Sequence, residues 1–444
     1  MNRQSAIGPL LCLLAAPSVF AQNLNAVVNG ELSALVDTYK GLHAQPELSH
    51  HEQRTAALLA EALRKAGYAV TEHVGTYPDG APAFGVVAIL QNGSGPRLLI
   101  RTDLDALPIV EETGLSYASQ VKVKDAAGRE VGVMHACGHD VHVTTMIGTA
   151  QALMASRSHW HGTLMLVGQP SEETVDGARA MLSDHLYERF GTPDFAIALH
   201  DTNTRAAGTV SVTSGAALTS STSVDVVLRG IGAHGAHPQD AKDPIVMAGE
   251  FIVQLQTIVS RQADPLDPAI VTIGEIHGGT KRNIIPNEVE MELTTRAFSD
   301  KSRQVILDGI RRTAQGVAIS AGVPETLAPI VTVLEAESTP VMYNDPALTG
   351  RVKAALVKSL GAQNVSDELP GTSSEDFGAF GLDRKIPSVM FWLGAMDPVK
   401  LAAAGAAGKT LPGPHNSRFE PLPEPTLRTG VTAMTSVAMA LLQR

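Results

Sequence analysis

The stretch Thr163-Leu164-Met165-Leu166-Val167-Gly168-Gln169-Pro170-Ser171-Glu172-Glu173 decides how the chain is read. Its first half is a short apolar run of strand length, and its second half is a polar turn marked by a proline. Working outward, helical spacing precedes it from Thr144 to Ala155, and a second strand-like run follows at Phe195–Leu199. Earlier still, residues 31–68 carry apolar positions at helical spacing, followed by strand-like Gly85–Leu90 and Arg97–Arg101. This alternation predicts an α/β domain with a mixed, largely parallel sheet flanked by helices. Sites in such sheets gather at the carboxyl ends of the strands. Asp103, the segment Gln169–Glu173 and His200 each stand just past one of these runs.

From about Thr222 the texture changes. Val224–Arg229 alternates, a glycine-rich turn follows at Gly230–Gly235, and a helical stretch runs from Ile245 to Ser260. The runs Ala269–His277 and Glu288–Phe298 then precede a helix over Ser302–Ala321. This β-α-β-β-α string predicts an inserted α+β domain, a four-stranded sheet with two helices, over 220–330. The first texture resumes with helical Pro346–Leu360, the turn Gly371–Ser374, strand-like Ser388–Leu393 and a closing helix near Pro425–Leu442. Residues 22–219 and 331–444 therefore form one domain interrupted by the other.

The first 21 residues carry Arg3, an apolar stretch from Leu10 to Phe20 and small residues up to Ala21, the pattern of a cleavable secretory leader. A periplasmic or extracellular address follows, with cleavage after Ala21. The apolar run is shorter than the ~20 residues a membrane-spanning helix needs, and no later stretch reaches that length. Leu11 before Cys12 argues against lipidation. Losing the leader leaves Cys137 as the one thiol, so no internal disulfide can form. The formal charge of −11 includes Arg3, so removing the leader gives −11 − 1 = −12. Such a surface disfavours nucleic acid and anionic membrane as partners.

Met134-His135-Ala136-Cys137-Gly138-His139-Asp140-Val141-His142 packs one thiol and three imidazoles into nine positions. Thiolate and imidazole suit borderline-soft divalent metals. Taken alone the cluster fits a catalytic metal centre, a structural zinc corner or a polar loop; an otherwise unpaired secreted thiol favours metal. Glu172 and Glu173 are adjacent acids of a kind common on solvated surfaces, yet they follow a strand end. A metal-assisted hydrolase needs one carboxylate to ligate and another to carry a proton. His200 after its strand, and His415 within Gly413-Pro414-His415-Asn416-Ser417-Arg418-Phe419, are undecided by themselves.

Nine segments in register supply what single residues do not: His43–Glu47, Arg101–Pro108, Met134–His142, Gln169–Glu173, Ala198–His200, Gly230–Pro238, Gly278–Pro286, Ser374–Phe377 and His415–Phe419. On these the chain resembles the aminoacylase and carboxypeptidase superfamily of metal-dependent hydrolases, in its hippurate hydrolase and indole-acetyl-amino-acid hydrolase branch. The resemblance implies cleavage of the amide bond of N-acyl amino acids. It implies two divalent metals, zinc, manganese, cobalt or nickel, held by Cys137, His139, Glu173, His200 and His415, with Glu172 moving the proton. Arg101 stands where the wider superfamily has a ligating histidine, which leaves Asp103 behind the ligands rather than among them. The inserted domain would act as a lid and pair two subunits, with His234 at the reaction centre and Asn283 and Arg296 on the substrate. His237 and the long Ala/Gly-rich stretch Ala395–Pro412 depart from the family pattern. A metallo-dipeptidase or carboxypeptidase would use nearly the same inventory. A binding protein that had lost catalysis would lack the proton carrier, and Glu172 is present.

Overall fold

The computed structural model describes residues 19–124 and 128–443. The expected leader lies outside the described residues except for its last three positions, which begin a helix running from Val19 to His43. No described helix is long and apolar enough to cross a membrane.

An eight-stranded sheet forms the larger body, in the order Ala69–Thr76, Pro82–Asn92, Gly162–Gln169, Arg97–Asp103, Phe195–Ala206, Ser388–Met396, Val210–Val212 and Val365–Asp367. The four strands from Gly162–Gln169 to Ser388–Met396 run parallel, and antiparallel strands flank them. The sheet is thus mixed and largely parallel. Its apolar runs lack alternation because both faces are covered. Leu98 and Ile100, Leu164 and Leu166, Val389 and Phe391 point into one core, shared with the helices Val19–His43, Gln53–Lys65, His139–Ala155, Pro346–Leu360 and Pro423–Leu441. Leu99, Met165, Val167 and Met390 point into the other, against Ala178, Met181 and Phe377.

The second body is a four-stranded antiparallel sheet in the order Ala269–Gly278, Glu288–Ala297, Ser220–Arg229 and Ile330–Thr339. One face is packed and the other wet, so here the strands do alternate: Val289, Met291 and Leu293 are buried between exposed glutamates. Helices Pro244–Thr257 and Asp300–Ser320 cover the packed face. Asp243 caps the first, ahead of Pro244 at its first turn, and Ser299 caps the second through Ser302 N.

Three sequence expectations shift. The fourth lid strand begins at Ile330, where the insertion was expected to end, and carries the sheet to Thr339; it is an edge whose core signal is weak, two half-buried valines, Val331 and Val333, ahead of exposed Glu335–Glu337. The strand expected to stop at Leu199 continues to Ala206, so His200 lies within it. Pairing with Arg97–Asp103 ends at Ala198, however, so His200 stands past that pairing, level in register with Asp103 at its neighbour's carboxyl end. The stretch Ala395–Pro412 finishes its strand at Met396 and then forms a helix, Pro398–Ala406, capped by Asp397.

Candidate metal centre

The carboxyl edge of the central sheet gathers the predicted ligands. Donor atoms of Cys137, His139 and His200 lie within 4.8 Å of one another, as do those of Cys137, Glu173 and His415, and those of His139, Glu172 and Glu173. The first two groups share the Cys137 sulfur, so the five predicted ligands form two adjoining sets with one common donor. Cys137 Sγ is 3.5 Å from His200 Nε2, and His415 Nε2 is 3.3 Å from Glu173 Oε2.

Local backbone geometry makes this convergence. Gly138, between Cys137 and His139, has φ of 79°, and a Cβ there would come within 2.3 Å of the Asp201 carboxylate. Only glycine fits that close approach. His139 opens the helix His139–Ala155, which turns its ring toward the sheet edge. His415, with φ of 65°, is tied by its backbone N–H to Ala136 O at 2.7 Å, and Asn203 props the preceding segment through Leu411 O.

Hydrogen bonds decide which ring nitrogens are free. His139 Nδ1 meets the carbonyl of Asp105 at 2.9 Å, and His200 Nδ1 that of Asp201 at 2.8 Å. A carbonyl only accepts, so both rings carry a proton on Nδ1, which leaves Nε2 as the atom each can offer to a metal, the arrangement of a metal-ligating histidine. His139 Nε2 and Glu173 Oε1 are buried with no hydrogen-bond partner, 3.9 Å apart. A buried imidazole nitrogen and a buried carboxyl oxygen left without partners are costly unless a cation serves them. The residues present therefore fit a metal centre.

His142 does not belong to the ligand set although it lies beside it. Its Nδ1 bonds Asp103 Oδ1 at 2.7 Å and its Nε2 accepts from the backbone N–H of Asp201 at 3.0 Å, which occupies both nitrogens. Asp103 is equally saturated, its Oδ2 taking Arg101 Nη1 at 2.6 Å. Burial alone would push the Asp103 carboxyl up, but His139, His142 and Arg101 hold it well below the usual range. Arg101, wholly buried, spends its remaining N–H groups on Gln169, Glu375 and Asp376. One guanidinium thus binds the ends of neighbouring strands to the Glu375–Asp376 turn.

Asp105 was not singled out from the sequence. Its Oδ2 accepts from Glu173 N at 3.0 Å and from Ser49 Oγ at 2.7 Å, while its carbonyl orients His139. The available signal was the pair of acids two residues apart at the end of the Arg97–Asp103 strand. Glu172 is buried; burial first, then the charges of Glu375, Glu173 and Asp376, push its carboxyl well above the ordinary range.

The three lid residues are not together. His234 and Asn283 share the tip, where His234 pairs with Ile284 and Gly235 N–H bonds Asn283 O at 2.9 Å; both are exposed. Arg296 pairs with Ser221 at the opposite end of the lid sheet, the end that joins the larger body, and its Nη1 is buried without a partner. Glu288, beside the tip, and Arg296 are separated by eight strand residues, roughly 26 Å at the usual strand rise.

The model of the peptidase family M20/M25/M40 matches residues 99–440. An N-acetyldiaminopimelate deacetylase from Leuconostoc citreum is 36% identical over 369 residues, 82% of this chain and 88% of that protein. An N-acetyl-L-cysteine deacetylase from Bacillus subtilis is 35% identical over 347 residues, 78% of this chain and 77% of that protein. Among solved structures, a dinuclear metal binding peptidase of the M20 family from Bacillus subtilis superposes with a TM-score of 0.74 at 27% identity, covering 93% of this chain and 99% of that one. The chain belongs to the peptidase family M20/M25/M40 and is a hydrolase of that family.

Proposed function

We propose that the protein hydrolyses the amide bond of N-acyl amino acids, releasing a carboxylic acid and a free amino acid. The observation that carries this is the pair of bare, buried donors His139 Nε2 and Glu173 Oε1 beside a separate buried carboxyl, Glu172. Cys137, His139, His200, Glu173 and His415 would hold two divalent metals. When bound, such metals supply Lewis acidity and a water of lowered pKa. Glu172 takes the proton of the attacking water as its oxygen adds to the amide carbon, then returns that proton to the nitrogen as the C–N bond breaks. A carboxyl held above the ordinary range suits both halves of that exchange.

Arg296, part-buried with an unspent N–H, would hold the free carboxylate of the amino-acid portion in bidentate fashion. His234 would stabilise the tetrahedral oxyanion, and Asn283 would contact the substrate beside it. A small substrate cannot touch both ends of one lid, so Arg296 would serve its own subunit and the His234 tip would serve a partner. This supports a homodimer. Deacetylase relatives favour short acyl groups, and the hippurate-type branch adds aromatic ones. The leader pattern supports a periplasmic or secreted address.

The test is release of free amino acid from N-acetyl and N-benzoyl amino acids and from dipeptides, after reconstitution with zinc, manganese, cobalt or nickel. Turnover of N-acyl amino acids above dipeptides is expected. Turnover of dipeptides alone would make the protein a dipeptidase instead.

A further inference from the structure

The turn that carries Glu172 is gripped from both sides by buried carboxyl groups. Ser171, just before Glu172, has φ of 51°, a region that a side chain with a Cβ enters only when its surroundings hold it there. What holds it is Glu52, fully buried at the head of the helix Gln53–Lys65. One oxygen, Glu52 Oε1, accepts from Ser171 N at 2.7 Å, Ser171 Oγ at 2.9 Å and His50 N at 3.0 Å. The single hydroxyl proton of Ser171 goes to Glu52. Ser171 Oγ therefore accepts from its other neighbours, His50 N at 2.9 Å and the Tyr77 hydroxyl at 2.6 Å. A directed relay results, from Tyr77 through Ser171 to Glu52. On the far side of Glu172, the backbone N–H of Glu173 is held by Asp105. Alternate amides of the turn are thus tied to two carboxyl groups from distant parts of the chain, with Glu172 between them.

We propose that Glu52 and Ser171, backed by Tyr77, are positioning residues that set the aim of Glu172. The inference rests on the reading of Glu172 as the proton carrier. Neither Glu52 nor Tyr77 is among the proposed ligands, so their loss acts on the rate of the chemical step rather than on metal occupancy. A misplacement of about 1 Å at a reacting group can cost on the order of 100-fold in rate.

The test compares Glu52→Ala, Glu52→Gln, Tyr77→Phe and Glu172→Gln in the metal-loaded enzyme, with kcat, KM and bound metal measured for each. Glu52→Ala should lower kcat by roughly 10- to 100-fold with KM and metal content near wild type. Glu52→Gln keeps an acceptor oxygen for Ser171 and should recover most of that loss, which a charge requirement would not allow. Tyr77→Phe deletes one hydroxyl and leaves the stack with His50, so it should lower kcat by a smaller factor. Wild-type kcat in Glu52→Ala, a rate loss matched by metal loss, or equal impairment in Glu52→Gln would each overturn the proposal. Should Glu52→Ala fail to fold, wild-type kcat in Tyr77→Phe overturns it. Glu172→Gln separates the two levels: if it stays active the proton-carrier reading fails, whereas an inactive Glu172→Gln beside a fully active Glu52→Ala removes only the positioning role.

Discussion

The carboxyl edge of the central sheet and the tip of the lid present their chemistry in opposite ways. At the sheet edge the groups behind the predicted ligands are buried and braced: Arg101 binds Asp103, Gln169, Glu375 and Asp376, and Asp103 binds His142. At the lid tip His234 and Asn283 are exposed, and their bonds are local, such as Ala236 N to His234 Nδ1 at 3.0 Å. A braced edge holds its groups in place before any ligand arrives, which is what a preorganised site requires. An exposed tip reaches chemistry only when another surface meets it. The difference teaches that the two regions need different tests: the edge can be probed within one chain, whereas the proposed role of the tip requires a second surface.

The largest effect should come from the braced edge. Glu172→Gln removes the proton acceptor without removing a ligand, so kcat should fall by about 10²- to 10⁴-fold, the usual worth of a general acid–base group. Bound metal, measured by elemental analysis, should stay near wild type. Turnover above a few per cent would deny Glu172 its role, and a matching loss of metal would make it a ligand.

The sequence made the contents of that edge legible better than its bracing. Cys137 and His139 announce themselves by packing donors into one short segment, and Glu172-Glu173 by following a strand and a proline. Asp105 and Glu52 do not, and His142 stands in the same cluster without showing that it braces Asp103, because these roles exist only where separated segments meet. The fold shows the same division. Apolar runs buried on both faces, such as Leu164–Val167, reveal the central strands, whereas the lid edge Ile330–Thr339 offers only Val331 and Val333, half-buried, before an exposed Glu335–Glu337 stretch. The continuation of the Phe195 strand through Asp201-Thr202-Asn203-Thr204 is polar and resembles a loop.

Next in size is the brace itself. Arg101→Met would leave Glu375 and Asp376 as buried carboxyl groups without their cation, and Asp103 with His142 alone. Breaking a buried pair from one side typically costs about 3–5 kcal/mol, because the remaining charge is uncompensated. Chemical denaturation should show that loss together with a fall in kcat. A variant as stable as wild type would mean that the cluster relaxes to water and that the edge is not braced as described.

The lid tip should matter less for folding and as much for chemistry only in the assembled protein. His234→Ala should lower kcat by roughly 10²- to 10³-fold, the range for losing one oxyanion donor, with stability unchanged. Refolding inactive His234→Ala with inactive Glu172→Gln would give heterodimers with one site lacking both groups and one retaining both. Activity should reappear in that mixture. If mass measurement finds heterodimers and no activity returns, the tip serves its own subunit and the contrast between a braced edge and a borrowed tip is lost.

The smallest effect tests whether the lid's own folding is separable from its chemistry. Ser299 Oγ accepts from Ser302 N at 3.0 Å at the start of the helix Asp300–Ser320, and donates to Asp267. Ser299→Ala leaves that amide without its side-chain partner, and loss of such a cap typically costs about 1 kcal/mol. The helix covers the packed face of the lid sheet, so the loss should appear as a lower Tm, while Ser299 approaches neither His234 nor Arg296 in any hydrogen bond described. At 25 °C kcat and KM should remain at wild type. A change in kcat with Tm unmoved would instead mean that this helix end transmits its position to the tip, and that the lid works as one lever rather than as a frame carrying two independent groups.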